Sequence, residues 1–249
     1  MPQHRYFIHL SYKGTHYFGW QIQPNHKSVQ ETIEKAMTQM NSNQKVEITG
    51  CGRTDTGVHA SDYYAHFDSP VEIDVEQMKF KLNLMLPKDI AIQSIFKVDS
   101  DKHARHSAIS RTYQYHIHHS KNPFHAETSW QLGHKLNVAK INQAIEILKK
   151  HNDFESFSKV KTAVNHFICN IQFAEWIETE NGHSFTITAN RFLRGMVRTI
   201  VGTLVDVGLE KITPQDVDKI LLSKNRSNAG KSAPAEGLML TKIVYPFLT

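Results

Sequence analysis

The chain has 249 residues, 40% of them hydrophobic and 21% charged, which suits one large packed domain or two fused smaller ones. Twelve glycines and eight prolines argue against long disordered stretches, no apolar run approaches a membrane span, and no signal-peptide core precedes the first alternating segment. Lys and Arg outnumber Asp and Glu by 29 to 24, a modest excess of +5, and two cysteines, Cys51 and Cys169, are too few for a four-cysteine zinc site or an iron–sulfur ferredoxin and read as reduced cytosolic thiols.

Residues 5–12 alternate and predict a strand. Ser28-Val29-Gln30-Glu31 has the form of a capping box, and Val29, Ile33, Met37 and Met40 recur at helical spacing, so 29–41 predicts an amphipathic helix. Val46 and Ile48 mark a second strand ending at Gly50, and 62–68 a third. Asp74 caps a helix with Val75, Met78, Leu82 and Met85 on one side, and 90–98 is again a strand. The second half repeats this grammar. Residues 112–118 alternate, and Asn137 caps a helix striped by Val138, Ile141, Ile145 and Leu148. Strands at 167–178 and 183–189 flank an Asn181-Gly182 turn. A helix is expected over 191–208, another after Thr213-Pro214, and a last strand over 238–245.

Hairpins mixed with crossovers define an α+β protein. Each half reads roughly β-α-β-β-α-β, the ferredoxin-like or RNP-like unit. The expected architecture is two such halves, 1–105 and 106–249, pseudo-duplicated around a central antiparallel or mixed sheet with a cleft between them.

The charge is unevenly spread. No acid occurs from Lys102 to Ala126, a stretch with four cations and six histidines, nor from Lys219 to Lys231. Such runs suit either a polyanion or a solvated surface. The segment Gly50-Cys51-Gly52-Arg53-Thr54-Asp55-Thr56-Gly57-Val58-His59-Ala60 is the most unusual. Arg53 and Asp55 are two apart and share a side of an extended backbone, so a glycine-lined turn presents a carboxylate beside a guanidinium. That is a nucleophile site or an ordinary Asp turn. Arg111, Tyr113 and Tyr115 interleave cation and aromatic, as a stacked unpaired base requires, although Tyr113 and Tyr115 equally fit a core stripe. Arg191, Arg194 and Arg198 are spaced to share a helix face, and Arg198 sits inside an apolar run. It either snorkels or pairs with a buried carboxylate, for which Asp55 is a candidate. Histidine spacing gives no metal motif, and neither a P-loop nor G-x-G-x-x-G is present, so no metal and no nucleotide cofactor is expected.

These residues together resemble the tRNA pseudouridine synthase A family. Tyr12-x-Gly14-Thr15-x-Tyr17-x-Gly19-Trp20-Gln21-x-Gln23 is similar to its N-terminal strand and loop, and Gly52-Arg53-Thr54-Asp55-x-Gly57-Val58-His59-Ala60 to its catalytic motif. Asn83-x-x-Leu86-Pro87-x-Asp89-Ile90, His103-Ala104-Arg105-x-Ser107-Ala108, Asp153-Phe154-x-Ser156-Phe157 and Ala233-Pro234-Ala235-x-Gly237-Leu238 also match. Arg111-x-Tyr113-x-Tyr115 places the family's active-site tyrosine at Tyr113, and Phe192-Leu193-x-x-Met196-Val197-Arg198 its arginine at Arg198. Lys13, Thr56, Lys102 and His106 depart from the usual pattern.

The resemblance implies isomerisation of uridine to pseudouridine in tRNA, at positions 38–40 of the anticodon stem-loop, by a cytoplasmic homodimer without a cofactor. It implies Asp55 as nucleophile, with Arg198 pairing with it, Tyr113 stacking on the uracil, and Arg53 holding the flipped nucleotide. Two other classes compete: a non-catalytic tRNA-binding protein or RNA chaperone on the same fold, which would not need the carboxylate, and a nucleoside hydrolase, which would not need basic segments spread along the chain.

Overall fold

In the computed structural model, which describes residues 4–160 and 165–248, the chain divides into two units. The first is Met1–Ile109 together with Leu240–Thr249, and the second is Ser110–Met239.

The first unit begins with strand β1 (His4–Tyr12), which pairs antiparallel with both β3 (His59–Ser69) and β4 (Ile90–Val98). The two-residue β2 (Thr49–Gly50) extends β3 on one side. The late strand β9 (Leu238–Val244) lies next to β3, giving the order β4-β1-β3-β9. Helix α1 (Val29–Met40) buries Val29, Ile33 and Met37 at 1% exposure or less, about 1.5–3 kcal/mol per side chain. Ser28 caps it by accepting from the Glu31 amide at 3.2 Å, while the Glu31 carboxylate turns to Lys35 at 2.6 Å. Helix α2 (Val75–Met85) starts at Asp74 as expected, but of its predicted apolar side only Leu82 is fully buried.

The predicted second strand is shorter than its β-branched residues imply. Side chains of α1 claim its backbone first: Thr38 Oγ1 accepts from the Val46 amide at 3.1 Å and Glu34 Oε1 from the Ile48 amide at 2.9 Å.

In the second unit, β5 (Ser110–His118) pairs antiparallel with β8 (Gly182–Ala189), which pairs antiparallel with β7 (Ile171–Thr179). A short β6 (Trp130–Gln131) adds to β5 in parallel. Helix α3 (Val138–Leu148) packs on α4 (Met196–Gly208), α5 (Pro214–Ser223) and β7. Helix α5 carries a complete capping box between Thr213 and Asp216. The fold is thus mixed α+β, with antiparallel and parallel pairings.

Two expectations are corrected here. The hairpin turns one residue earlier, on 180–181, and Gly182 is already in β8. A Cβ on Gly182 would stand 1.9 Å from the Ile117 carbonyl oxygen, so close approach of β5 rather than turn geometry requires this glycine. The helix expected over 191–208 begins only at Met196, because Gly195 takes the left-handed conformation at φ 72°. Arg191 and Arg194 therefore precede the helix and do not share a face with Arg198. No helix among the described residues is long and apolar enough to cross a membrane.

Candidate active site

Asp55 lies on the loop between β2 and β3. Burial alternates along it: Arg53 is exposed, Thr54 buried, Asp55 half-buried and Thr56 exposed. Thr54 anchors the loop from below. Its hydroxyl bonds the Tyr12 hydroxyl at 2.8 Å, and its carbonyl accepts from the Trp20 amide at 3.3 Å. The Val58 amide donates to the Asp55 carbonyl at 3.1 Å, closing a turn with Gly57 at φ 80°, where a type II turn demands glycine. The Gly57 amide in turn donates to the Tyr17 carbonyl at 3.2 Å.

The segment after β1 forms the back wall of this loop. A Cβ on Gly14 would lie 2.0 Å from the Val58 carbonyl oxygen, and one on Gly19, at φ 84°, would lie 2.3 Å from that of Thr54. The Gly14 amide also donates to His59 Nδ1 at 2.9 Å. Tyr63 donates its hydroxyl to the Gly52 carbonyl at 2.5 Å and stacks on Trp20 with ring centroids 4.1 Å apart. Burial pushes the Tyr63 phenol far above its ordinary range, so it stays a neutral donor. The residues Tyr12, Trp20 and Tyr63 are the part of the site that pattern reading missed as structure. The signal was the pair of glycines inside Tyr12-x-Gly14…Gly19-Trp20.

In the second unit the two tyrosines of β5 part company. Tyr115 is 1% exposed, with its hydroxyl on the Pro234 carbonyl at 2.8 Å, and belongs to the core. Tyr113 is half-buried, with Phe192 edge-on to its ring at 5.2 Å. Arg111 donates to the Asn190 carbonyl at 2.9 Å.

Arg198 stands on the first turns of α4. Its Nε donates to the Ala233 carbonyl at 2.6 Å, and the Ala233 amide donates back to the Arg198 carbonyl at 2.9 Å. The strap of residues 229–235 is bound along α4: the Gly230 amide donates to Thr203 Oγ1 at 3.0 Å, and the Ser232 hydroxyl bonds that of Thr199 at 3.1 Å. A Cβ on Gly202 would lie 1.8 Å from the Lys231 carbonyl oxygen. The same strap thus reaches both Arg198, through Ala233, and β5, through Pro234.

The acid-free runs of sequence are not acid-free surfaces. Lys102 pairs with Asp101 at 2.8 Å, Lys219 with Asp216 at 2.8 Å and Lys224 with Asp153 at 2.9 Å. Among the described residues no group of three or more His, Cys, Asp or Glu side chains is arranged to hold a metal ion. Cys51 and Cys169 are both buried and neither forms a disulfide.

The first unit presents a carboxylate on a braced turn, and the second carries a half-buried tyrosine on β5 and an arginine on α4. Comparison with known proteins gives this its family. A family profile described as tRNA pseudouridine synthase matches residues 9–107 and 144–246. The chain is 47% identical over 248 residues to a tRNA pseudouridine synthase A of Bacteroides fragilis, covering 99% of this chain and 98% of the relative. It is 45% identical to that of Porphyromonas gingivalis, covering 97% of each, and 38% identical to that of Bacillus subtilis, covering 95% and 97%. The chain belongs to the tRNA pseudouridine synthase family, and its reaction is the isomerisation of uridine to pseudouridine in tRNA.

Proposed function

We propose that the chain acts on uridines 38–40 of the anticodon stem-loop with Asp55 as nucleophile. In this reaction the bond from C1′ to N1 breaks, the uracil turns, and C5 bonds to C1′. C5 loses a proton and N1 gains one, so the product is an isomer and no electrons are exchanged. Asp55 meets the cationic C1′ and traps it, as the second carboxylate does in retaining glycosidases. Tyr113 stacks on the turning uracil, Arg53 holds the flipped nucleotide, and Arg198 binds it from α4. The two ferredoxin-like halves, a homodimer and a cytoplasmic location complete the reading.

The observation that carries it is the Asp55 loop: the carboxylate of a turn-forming residue sits half-buried between an exposed Arg53 and a backbone braced by β1 and the segment after it. The test is nucleotide-resolution mapping of pseudouridine on unmodified tRNA, for the wild type and Asp55→Ala, with RNA binding followed in parallel. Wild-type product confined to the anticodon arm, and a variant that binds without reacting, support the reading. RNA binding by both without product from either would favour a chaperone instead.

A further inference from the structure

The segment between Tyr17 and Ser28 bears an exposed feature to which the reaction assigns no role. Phe18 is 45% exposed, and its ring lies nearly flat on His26, centroids 4.1 Å apart at an interplanar angle of 21°. Every residue from Gln21 to Lys27 is exposed, so this pair packs outside the core. It is nevertheless preformed. The Phe18 amide donates to the Lys27 carbonyl at 2.9 Å, Gln23 Nε2 to the Phe18 carbonyl at 2.8 Å, and the His26 amide to the Gln23 carbonyl at 3.3 Å. An exposed aromatic is ordinary by itself, but one stacked and fixed by its own loop invites a functional reason.

Its position supplies one. The next residue, Gly19, presses against the Thr54 carbonyl, and Trp20 hydrogen-bonds the same group. The platform is thus a single residue away from contact with the loop that carries Asp55. Cations are exposed along the segment: Lys13 and Lys27 lie at the surface with His16 and His26, and Lys27 Nζ is 4.8 Å from the centroid of the Tyr17 ring, whose hydroxyl donates to the Asp89 carboxylate at 2.6 Å. An exposed π face beside cations matches an unpaired base with its phosphates, and matches a purely apolar partner poorly.

We propose that Phe18, backed by His26, is a stacking platform for an unpaired base of the RNA next to the target uridine. This rests on the RNA substrate and the Asp55 site proposed above. Phe18 meets the base, and His26 fixes the ring beneath it.

The experiment compares wild type, Phe18→Ala, Phe18→Leu, Phe18→Trp and His26→Ala on unmodified tRNA transcripts, measuring kcat, KM and the equilibrium Kd. Phe18→Ala is expected to raise KM and Kd about tenfold with kcat nearly unchanged, in keeping with the loss of one base stack. Phe18→Trp should return both to within about threefold of wild type, whereas Phe18→Leu, apolar but without a π face, should resemble alanine. His26→Ala should show a smaller rise in the same two constants. An unchanged KM in Phe18→Ala, full rescue by leucine, or an effect on kcat alone would overturn the proposal. Should the wild type make no pseudouridine at all, the reaction reading falls, and the Kd series still decides whether the platform exists.

Discussion

The loop that carries Asp55 and the helix that carries Arg198 are held in place by different means. Around Asp55 the grip is on the backbone: Trp20, Tyr17 and Gly14 hold the main chain of residues 54–59, or the side chain of His59, through amides, carbonyls and close contact. Around Arg198 the helix sets the backbone, and the side chain itself is tied by its Nε to the strap at Ala233. An irregular loop has no internal ladder to define it, so it borrows one from a neighbouring segment. A helix needs no such help, and its long, flexible side chain is what must be fixed.

The largest effect should come from the chemistry. Asp55→Ala is expected to lower the single-turnover rate by about 10⁴-fold or more, the scale seen when a nucleophile is removed, with tRNA Kd unchanged. A residual rate within tenfold of wild type would reduce Asp55 to a positioning residue.

Next come the glycines at the two grips. Gly19→Ala meets both the Thr54 carbonyl at 2.3 Å and a φ of 84°, and should cost about 2–4 kcal/mol in denaturant unfolding. Gly202→Ala is the sharper case. Alanine favours a helix by about 1 kcal/mol, yet the Lys231 carbonyl at 1.8 Å should turn that gain into a net loss of about 2 kcal/mol. If Gly202→Ala stabilises the protein, the strap is not bound to α4 as described.

Acid should loosen the first unit, and His66 should contribute. His66 is 6% exposed and its Nδ1 accepts from the Ala104 amide at 3.1 Å. Burial, then the neighbouring charges of Arg5 and His103, holds its imidazole down to about 4. The unfolded chain takes up this proton near pH 6.5, before the native state does. Stability present above pH 6.5 is therefore lost as pH falls toward 4, by up to about 3 kcal/mol. In His66→Gln the unfolding free energy measured across pH 4–6.5 should lose most of that slope. The smallest effect expected is at Gly52, on the Asp55 loop itself. Nothing lies within 4 Å of a Cβ there, so Gly52→Ala should stay within about 0.5 kcal/mol and separate the braced part of the loop from its open rim.

Much of this was legible in the chain. Periodicity and caps found each α-helix among the described residues, with Ser28, Asp74, Asn137 and Thr213 at the starts of four of them, because these signals are local. What escaped was set by partners distant in sequence. Val46 and Ile48 have strand chemistry, but Thr38 and Glu34 take their amides. Two residues are too few to give β6 a period, and its pairing comes from β5. Gly195 decides where α4 begins, a choice the apolar spacing of 192–201 does not contain. Tyr113 and Tyr115 share one alternation, and partners distant in sequence distinguish them: Pro234 accepts from the buried Tyr115, while Phe192 packs on the half-buried Tyr113. The motif around Asp55 was visible, whereas its brace was visible only as glycines with no stated purpose.

The last strand carries a consequence for how the protein is made. Residues 240–248 belong to the first unit. The Ile243 amide satisfies Asp62 at 2.7 Å, the Tyr245 hydroxyl bonds the Ala104 carbonyl at 2.5 Å, and the Tyr245 ring lies against Phe7 and Tyr64. The whole of Ser110–Met239 leaves the ribosome before those residues do, a delay on the order of ten seconds at ordinary elongation rates. Throughout that interval the nascent first unit waits with an open edge at β3, while the second unit has all its residues in one run. Synthesis proceeds from the amino end, but completion runs the other way: the half translated first is the half finished last.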